Sequence, residues 1–135
     1  MTDVIKSIRT GLIANLAGIT GVQLLTYLIT NPTYPAIWVY PDETDYYESE
    51  GTDARRFVVE LMVGTIVDQR AQEIADGLMG NGAGTVKTAL ESDVTLDGLS
   101  TDLVVRKCSG YRYVNRAGVD ILAVQWTVDV SAPND

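Results

Sequence analysis

Near the start of the chain the apolar residues recur at helical spacing: Val4, Ile5, Ile8, Leu12 and Leu16, separated by Lys6, Arg9 and Asn15. A single apolar stripe of this kind predicts an amphipathic helix of about four turns, with Thr2 or Asp3 available to cap its first amides. The run Ala17-Gly18-Ile19-Thr20-Gly21 ends it, because glycine takes the left-handed conformation cheaply at a helix C-terminus. Val22 to Ile29 then reads as a strand, and Asn31-Pro32-Thr33-Tyr34-Pro35 as a turn. Ala36 to Tyr40 reads as a second short strand, stopped by Pro41.

Further along, the period shortens to two. Phe57, Val59, Leu61, Val63 and Val67 fall on one side of a long strand from Arg55 to Val67, with Arg56, Glu60 and Gly64 on the other. Asp68 follows as an N-cap, and Ala71, Ile74, Ala75 and Leu78 form a helical stripe that ends at Gly80. A short helix carries Val86, Ala89 and Leu90, and Asp93 to Thr101 is a polar turn around Asp97-Gly98. Asp102 to Cys108 reads as a strand, Ser109 to Gly118 as a connection, and Val119 to Val130 as a long closing strand. In that strand Leu122, Val124, Trp126, Val128 and Val130 share one face. This order predicts an α+β fold: a mostly antiparallel sheet with an N-terminal helix and two helical segments packed against it. The 135 residues fit a single domain over 1–135.

Charge changes the picture in one place. Residues 42–53 hold Asp42, Glu43, Asp45, Glu48, Glu50 and Asp53 and no basic residue, in a chain of net charge −8. With Tyr46 and Tyr47 but no periodic apolar face, the segment reads as an acidic extended loop at about 41–54. The acid excess argues against a nucleic-acid binder held by phosphate contacts. The uncharged span from Arg9 to Asp42 raises a membrane reading, and Gly11 to Ile29 has the length for it. Its glycines, polar residues and change of period favour helix, turn and strand, so no membrane partner is expected.

The chain has no histidine, which removes the commonest general base and zinc ligand and every Ser-His or Cys-His pairing. Cys108, the single cysteine, lies beside Arg106 and Lys107 and reads as a small packed residue. The cluster from Gly80 to Thr88 invites a phosphate-loop reading, but Val86 stands where that loop needs glycine, and a helix precedes it. A helix cap and joint is the better reading. The acidic segment lacks calcium-loop spacing. No catalytic, cofactor or metal site is expected. The candidate partner contacts are Tyr46 and Tyr47 in the acidic segment, and Arg55, Arg56, Arg112 and Arg116 beside it or in the late hairpin.

One resemblance adds to this reading. An amphipathic helix leads to Pro35-Ala36-Ile37-Trp38-Val39-Tyr40-Pro41, then to the tyrosine-bearing acidic segment and a long strand. A helix, a Gly-rich joint, the stretch Val86-Lys87-Thr88-Ala89-Leu90-Glu91-Ser92-Asp93-Val94-Thr95-Leu96-Asp97-Gly98 and two closing strands follow. Over nearly its whole length this resembles the tail terminator (tail completion) proteins of long-tailed, non-contractile bacteriophages, especially those of actinobacterial hosts. Asp97 departs from the glycine common at that place. The resemblance implies a non-enzymatic virion protein, present in the host cytoplasm during assembly. It implies a hexameric ring at the head-proximal end of the tail tube, which stops polymerisation and offers the surface for head–tail joining. The implied partners are further copies of the chain, the tail tube protein and a head connector or neck protein, with DNA passing through the lumen without specific binding. Another neck or adaptor role is the alternative, and a small carboxylate-dependent hydrolase is the reading that the clustered acids support least.

Overall fold

A computed structural model describes residues 4–27, 29, 33–49, 52–66, 68–80, 82–96, 98, 100, 102–116 and 118–133, with the backbone alone at 43, 45–49, 52, 116 and 133. The elements run α1 (Val4–Asn15), a 3-10 turn (Leu16–Gly18), β1 (Gln23–Leu25), β2 (Ala36–Ser49), β3 (Thr52–Gly64), α2 (Gln69–Met79), α3 (Val86–Leu90), β4 (Asp102–Arg116) and β5 (Val119–Pro133). The strands form one sheet in the order β1-β2-β3-β5-β4. All neighbours are antiparallel except β1 and β2. This is the α+β architecture that the periodicities predict.

The helices bury their stripes on one face of the sheet. Ile8, Leu12 and Leu16 join Ile37, Val39, Phe57, Val59, Leu61, Val124, Trp126 and Val128 in the main core. Register makes this face continuous, because Phe57 lies opposite Val128, Val59 opposite Trp126 and Leu61 opposite Val124. Local chemistry sets the helix ends. The Asp68 carboxylate accepts from the Ala71 amide at 2.9 Å, and the Thr85 hydroxyl caps α3. The Asn15 side-chain amide donates to the Leu90 and Asp93 carbonyls at 2.9 Å each, tying the end of α1 to the end of α3. Leu96, at a φ of 49°, packs so close to α1 that a Cβ at Gly11 would sit 3.1 Å from the Leu96 Cβ.

Several boundaries differ from those expected, and three of them shape the sheet edges. β1 spans only Gln23–Leu25 within the strand expected over 22–29. β2 does not stop at Pro41 but runs to Ser49, with a register shift between Pro41 and Glu43 that accommodates the missing amide hydrogen. The acidic segment, expected as a loop, is thus the outer part of the β2–β3 hairpin, with Glu43 opposite Arg56 and Asp45 opposite Ala54. Its partner β3 is itself paired with β5 from Thr52 to Gly64. Ladder hydrogen bonds to a strand already held in place can order a charged segment that has no apolar face of its own. Likewise β4 continues through 109–116, expected as a connection, by means of irregularities at Arg106 and at Ser109-Gly110, where Gly110 takes a φ of 76°. Cys108 is exposed rather than packed, because β4 is the outermost strand.

Candidate functional site

Alternation along the strands sends a second set of side chains to the face opposite the helices. The buried residues of all three helices belong to the main core, and none joins the small cluster of Leu25, Ala36, Met62 and Ile121 on this other face. Long polar and aromatic side chains cover it instead. Glu60 sits at its centre and is fully buried.

The Glu60 carboxylate is held from both sides. Its Oε1 accepts from the Trp38 indole Nε1 at 2.8 Å, and its Oε2 accepts from the Gln125 Nε2 at 2.7 Å. Gln125 also reaches the Tyr40 hydroxyl at 3.3 Å, and its Oε1 accepts from Arg112 Nη1 at 3.0 Å. The Trp38 and Tyr40 rings lie 4.8 Å apart, tilted by 34°. Trp38, Glu60, Gln125 and Arg112 therefore form one hydrogen-bonded rung that crosses β2, β3, β5 and β4. Burial of a carboxylate is tolerated when charge-assisted bonds replace its water. Satisfied in this way, Glu60 orders its neighbours into a fixed polar surface.

A second rung crosses three strands. Asp129 on β5 accepts from Arg56 on β3 at 3.0 Å and from Arg106 on β4 at 2.8 Å. Partial burial alone raises the Asp129 pKa, but the hydrogen bonds and charges of Arg56 and Arg106 outweigh it and hold the carboxyl below its ordinary value. A depressed pKa contributes stability above the ordinary carboxylate range, and that contribution is lost as pH falls through the lowered value. We expect carbon-detected NMR titration to place the Asp129 midpoint below that of an exposed aspartate and Arg106→Gln to move it upward. An unchanged midpoint in the variant would remove Arg106 from the rung.

On the edge strand, the Tyr111 hydroxyl donates to Asp76 Oδ1 at 2.5 Å and lies 3.3 Å from the Gln72 carbonyl, tethering β4 to α2. The hydrogen bond to the Asp76 carboxylate, with a lesser contribution from desolvation, pushes the Tyr111 phenol up.

Of the six contact residues expected from sequence, the three whose side chains are described, Arg55, Arg56 and Arg112, do not share one site. Arg56 and Arg112 share the open face, one in each rung. Arg55 lies on the opposite face, across from Val130, and pairs with Asp53 at 3.0 Å with side-chain exposures of 7% and 4%. Two of its guanidinium nitrogens, Nε and Nη1, are buried with no hydrogen-bond partner among the described residues. The expectation of a surface contact at Arg55 is therefore corrected: residue 55 shares the parity of Phe57 and Val59, and alternation turns it inward. Tyr46, Tyr47 and Arg116 lie in strands, but their side chains are outside the described residues. Neither the link between Glu60 and Gln125 nor the separate role of Asp129 was expected from sequence. The available signal was a lone carboxylate within Val58-Val59-Glu60-Leu61-Met62, which gains meaning only once register places Trp38 and Gln125 beside it.

Among the described residues no three His, Cys, Asp or Glu side chains are grouped to hold a metal, and no helix is long and apolar enough to cross a membrane. A groove of about 380 Å³ between α2 and residues 20–22 presents Arg70 and Glu73 beside Ile74 and Leu78. No protein-family model matches the chain, and no curated protein sequence matches it significantly.

Proposed function

We propose that this chain is a structural virion subunit of the tail terminator kind, forming a ring at the head-proximal end of a phage tail tube. In that role it stops tube growth and presents a surface for joining the head. The resemblance of residues 35–41 and 86–98 supplies the tail assignment. The observation that supports a contact role is the open sheet face. Its two hydrogen-bonded rungs fix the side chains of Trp38, Arg56, Arg106 and Arg112 in place on a broad surface. Preordered side chains lose little entropy on docking, and tryptophan and arginine are the residues most often central to protein contacts. The opposite face is taken up by helices, so the two faces of a subunit differ, as a cap that binds a tube on one side requires. The acid excess suits a channel that passes DNA without holding it, since like charge in a narrow lumen repels phosphate.

The test is assembly. Tail tubes incubated with the protein should acquire a cap at one end, visible by electron microscopy, and should stop elongating. Uncapped tubes that continue to grow would refute the reading. Density at the head connector with none at the tube end would select the neck or adaptor alternative.

A further inference from the structure

The two edges of the sheet differ in length, in charge and in which part of each is covered. We propose that copies of this chain join head to tail through these edges, with residues 106–116 of one copy running antiparallel beside residues 42–49 of the next.

On one side, β1 covers β2, among the described residues, only at Ala36, Ile37 and Trp38. Just beyond, the Val39 carbonyl is taken by Arg9, whose Nε and Nη2 donate to it at 3.0 and 2.7 Å. From Asp42 to Ser49 the outer side of β2 has no strand beside it among the described residues. That stretch carries Asp42, Glu43, Asp45 and Glu48 and no base. On the other side, β4 has, among the described residues, β5 along one flank alone. Its first part is shielded, because Val105 donates its amide to Glu91 Oε2 at 3.5 Å and Lys87 holds Glu91 at 2.6 Å. From residue 106 onward it carries Arg106, Lys107, Arg112 and Arg116 and no acid. Arg106 is matched to Asp129, whereas Arg112 bonds the neutral Gln125, and Lys107 forms no salt bridge among the described residues.

Each edge therefore leaves one half open, and the open halves have opposite sign. Exposed backbone along an edge strand is a template for a further strand, and charged residues and bulges normally guard it. Here the guarding is selective. Two β4 edges would set Lys107 and Arg112 against their own copies, and two acidic β2 edges would repel likewise, since like charges across strands destabilise pairing. The unlike pair alone is attractive.

Direction and offset also agree. β2 and β4 run in opposite directions within the sheet, so a neighbour that continues the sheet meets β4 in antiparallel fashion. Arg112 is level with Ala123, and Asp45, through Ala54, is level with Ser131, eight residues further along β5. The neighbour must therefore be displaced along the strands, and sheets that close on themselves carry such a stagger. Tyr111 and Tyr113, 41% and 67% exposed, give the basic edge apolar area to bury. The contact is heterologous, the type that generates rings when the rotation closes. It stands on edge charge and coverage and does not require the tail reading.

The experiment uses the full chain and two double variants, K107E/R112E and D42K/E48K, followed by sedimentation equilibrium and native mass spectrometry. The parent should self-associate, more weakly at high salt. Each variant alone should associate at least about tenfold more weakly, because it sets like charges face to face. An equimolar mixture should recover association, since each variant then supplies the complement of the other. If K107E/R112E fails to give the parent's circular dichroism, K107E/R116E leaves the Arg112–Gln125 bond intact and serves in its place. A parent that stays monomeric up to its solubility limit, variants that associate as the parent does, or a mixture that stays apart would each overturn the contact. Unaltered rings from both variants would overturn this contact alone, whereas edge association without capping of tail tubes would count against the tail reading alone.

Discussion

Replacing Trp126 by alanine should lower the unfolding free energy by ~3–5 kcal/mol, the usual cost of deleting a large buried aromatic side chain. Trp126 is 1% exposed and sits on β5, the strand flanked by β3 and β4. Its cross-strand neighbours are Val59 and Cys108, and it belongs to the cluster that also takes in α1 and α2. Deleting it opens a void where sheet and helices meet, in a region held by ladder pairing that collapses only in part. Urea denaturation of the parent and the variant, with unchanged slope, reads the difference. An unshifted midpoint would mean that the last strand presents its other face to the helices.

Arg55→Ala should cost about 3–5 kcal/mol, because it removes the guanidinium that pairs with the buried Asp53 carboxylate at 3.0 Å. A solvated arginine at a strand end would instead change stability by no more than about 0.5 kcal/mol, so the measurement separates the two placements. The pair itself contributes little net stability, since the buried Nε and Nη1 of Arg55 have no acceptor among the described residues. Replacing both partners, as in D53N/R55M, should therefore be far less damaging than the sum of the single changes. Equal additivity in that double-mutant cycle would show that the two side chains do not interact. Arg55 is for this reason unsuitable for testing assembly by charge reversal, whereas Lys107 and Arg112 on β4 are exposed.

Local pattern in the sequence determined the elements whose reasons are local. The stripe of Val4, Ile8, Leu12 and Leu16 specifies α1, the Asp68 cap and the Ala71 and Ala75 stripe specify α2, and alternation from Leu122 to Val130 specifies the inward face of β5. In each, a segment buries its own apolar face, and periodicity records that directly. Tertiary structure decided everything that depends on a partner strand. Residues 42–49 are strand because β3 is already fixed by β5, although nothing apolar in the segment asks for it. Glu60 is buried because register sets Trp38 and Gln125 on either side of its carboxylate. Cys108 is exposed because its strand comes last in the sheet. Strand pairing joins residues far apart in the chain through backbone groups that every residue carries, so the partner leaves no mark on the local sequence.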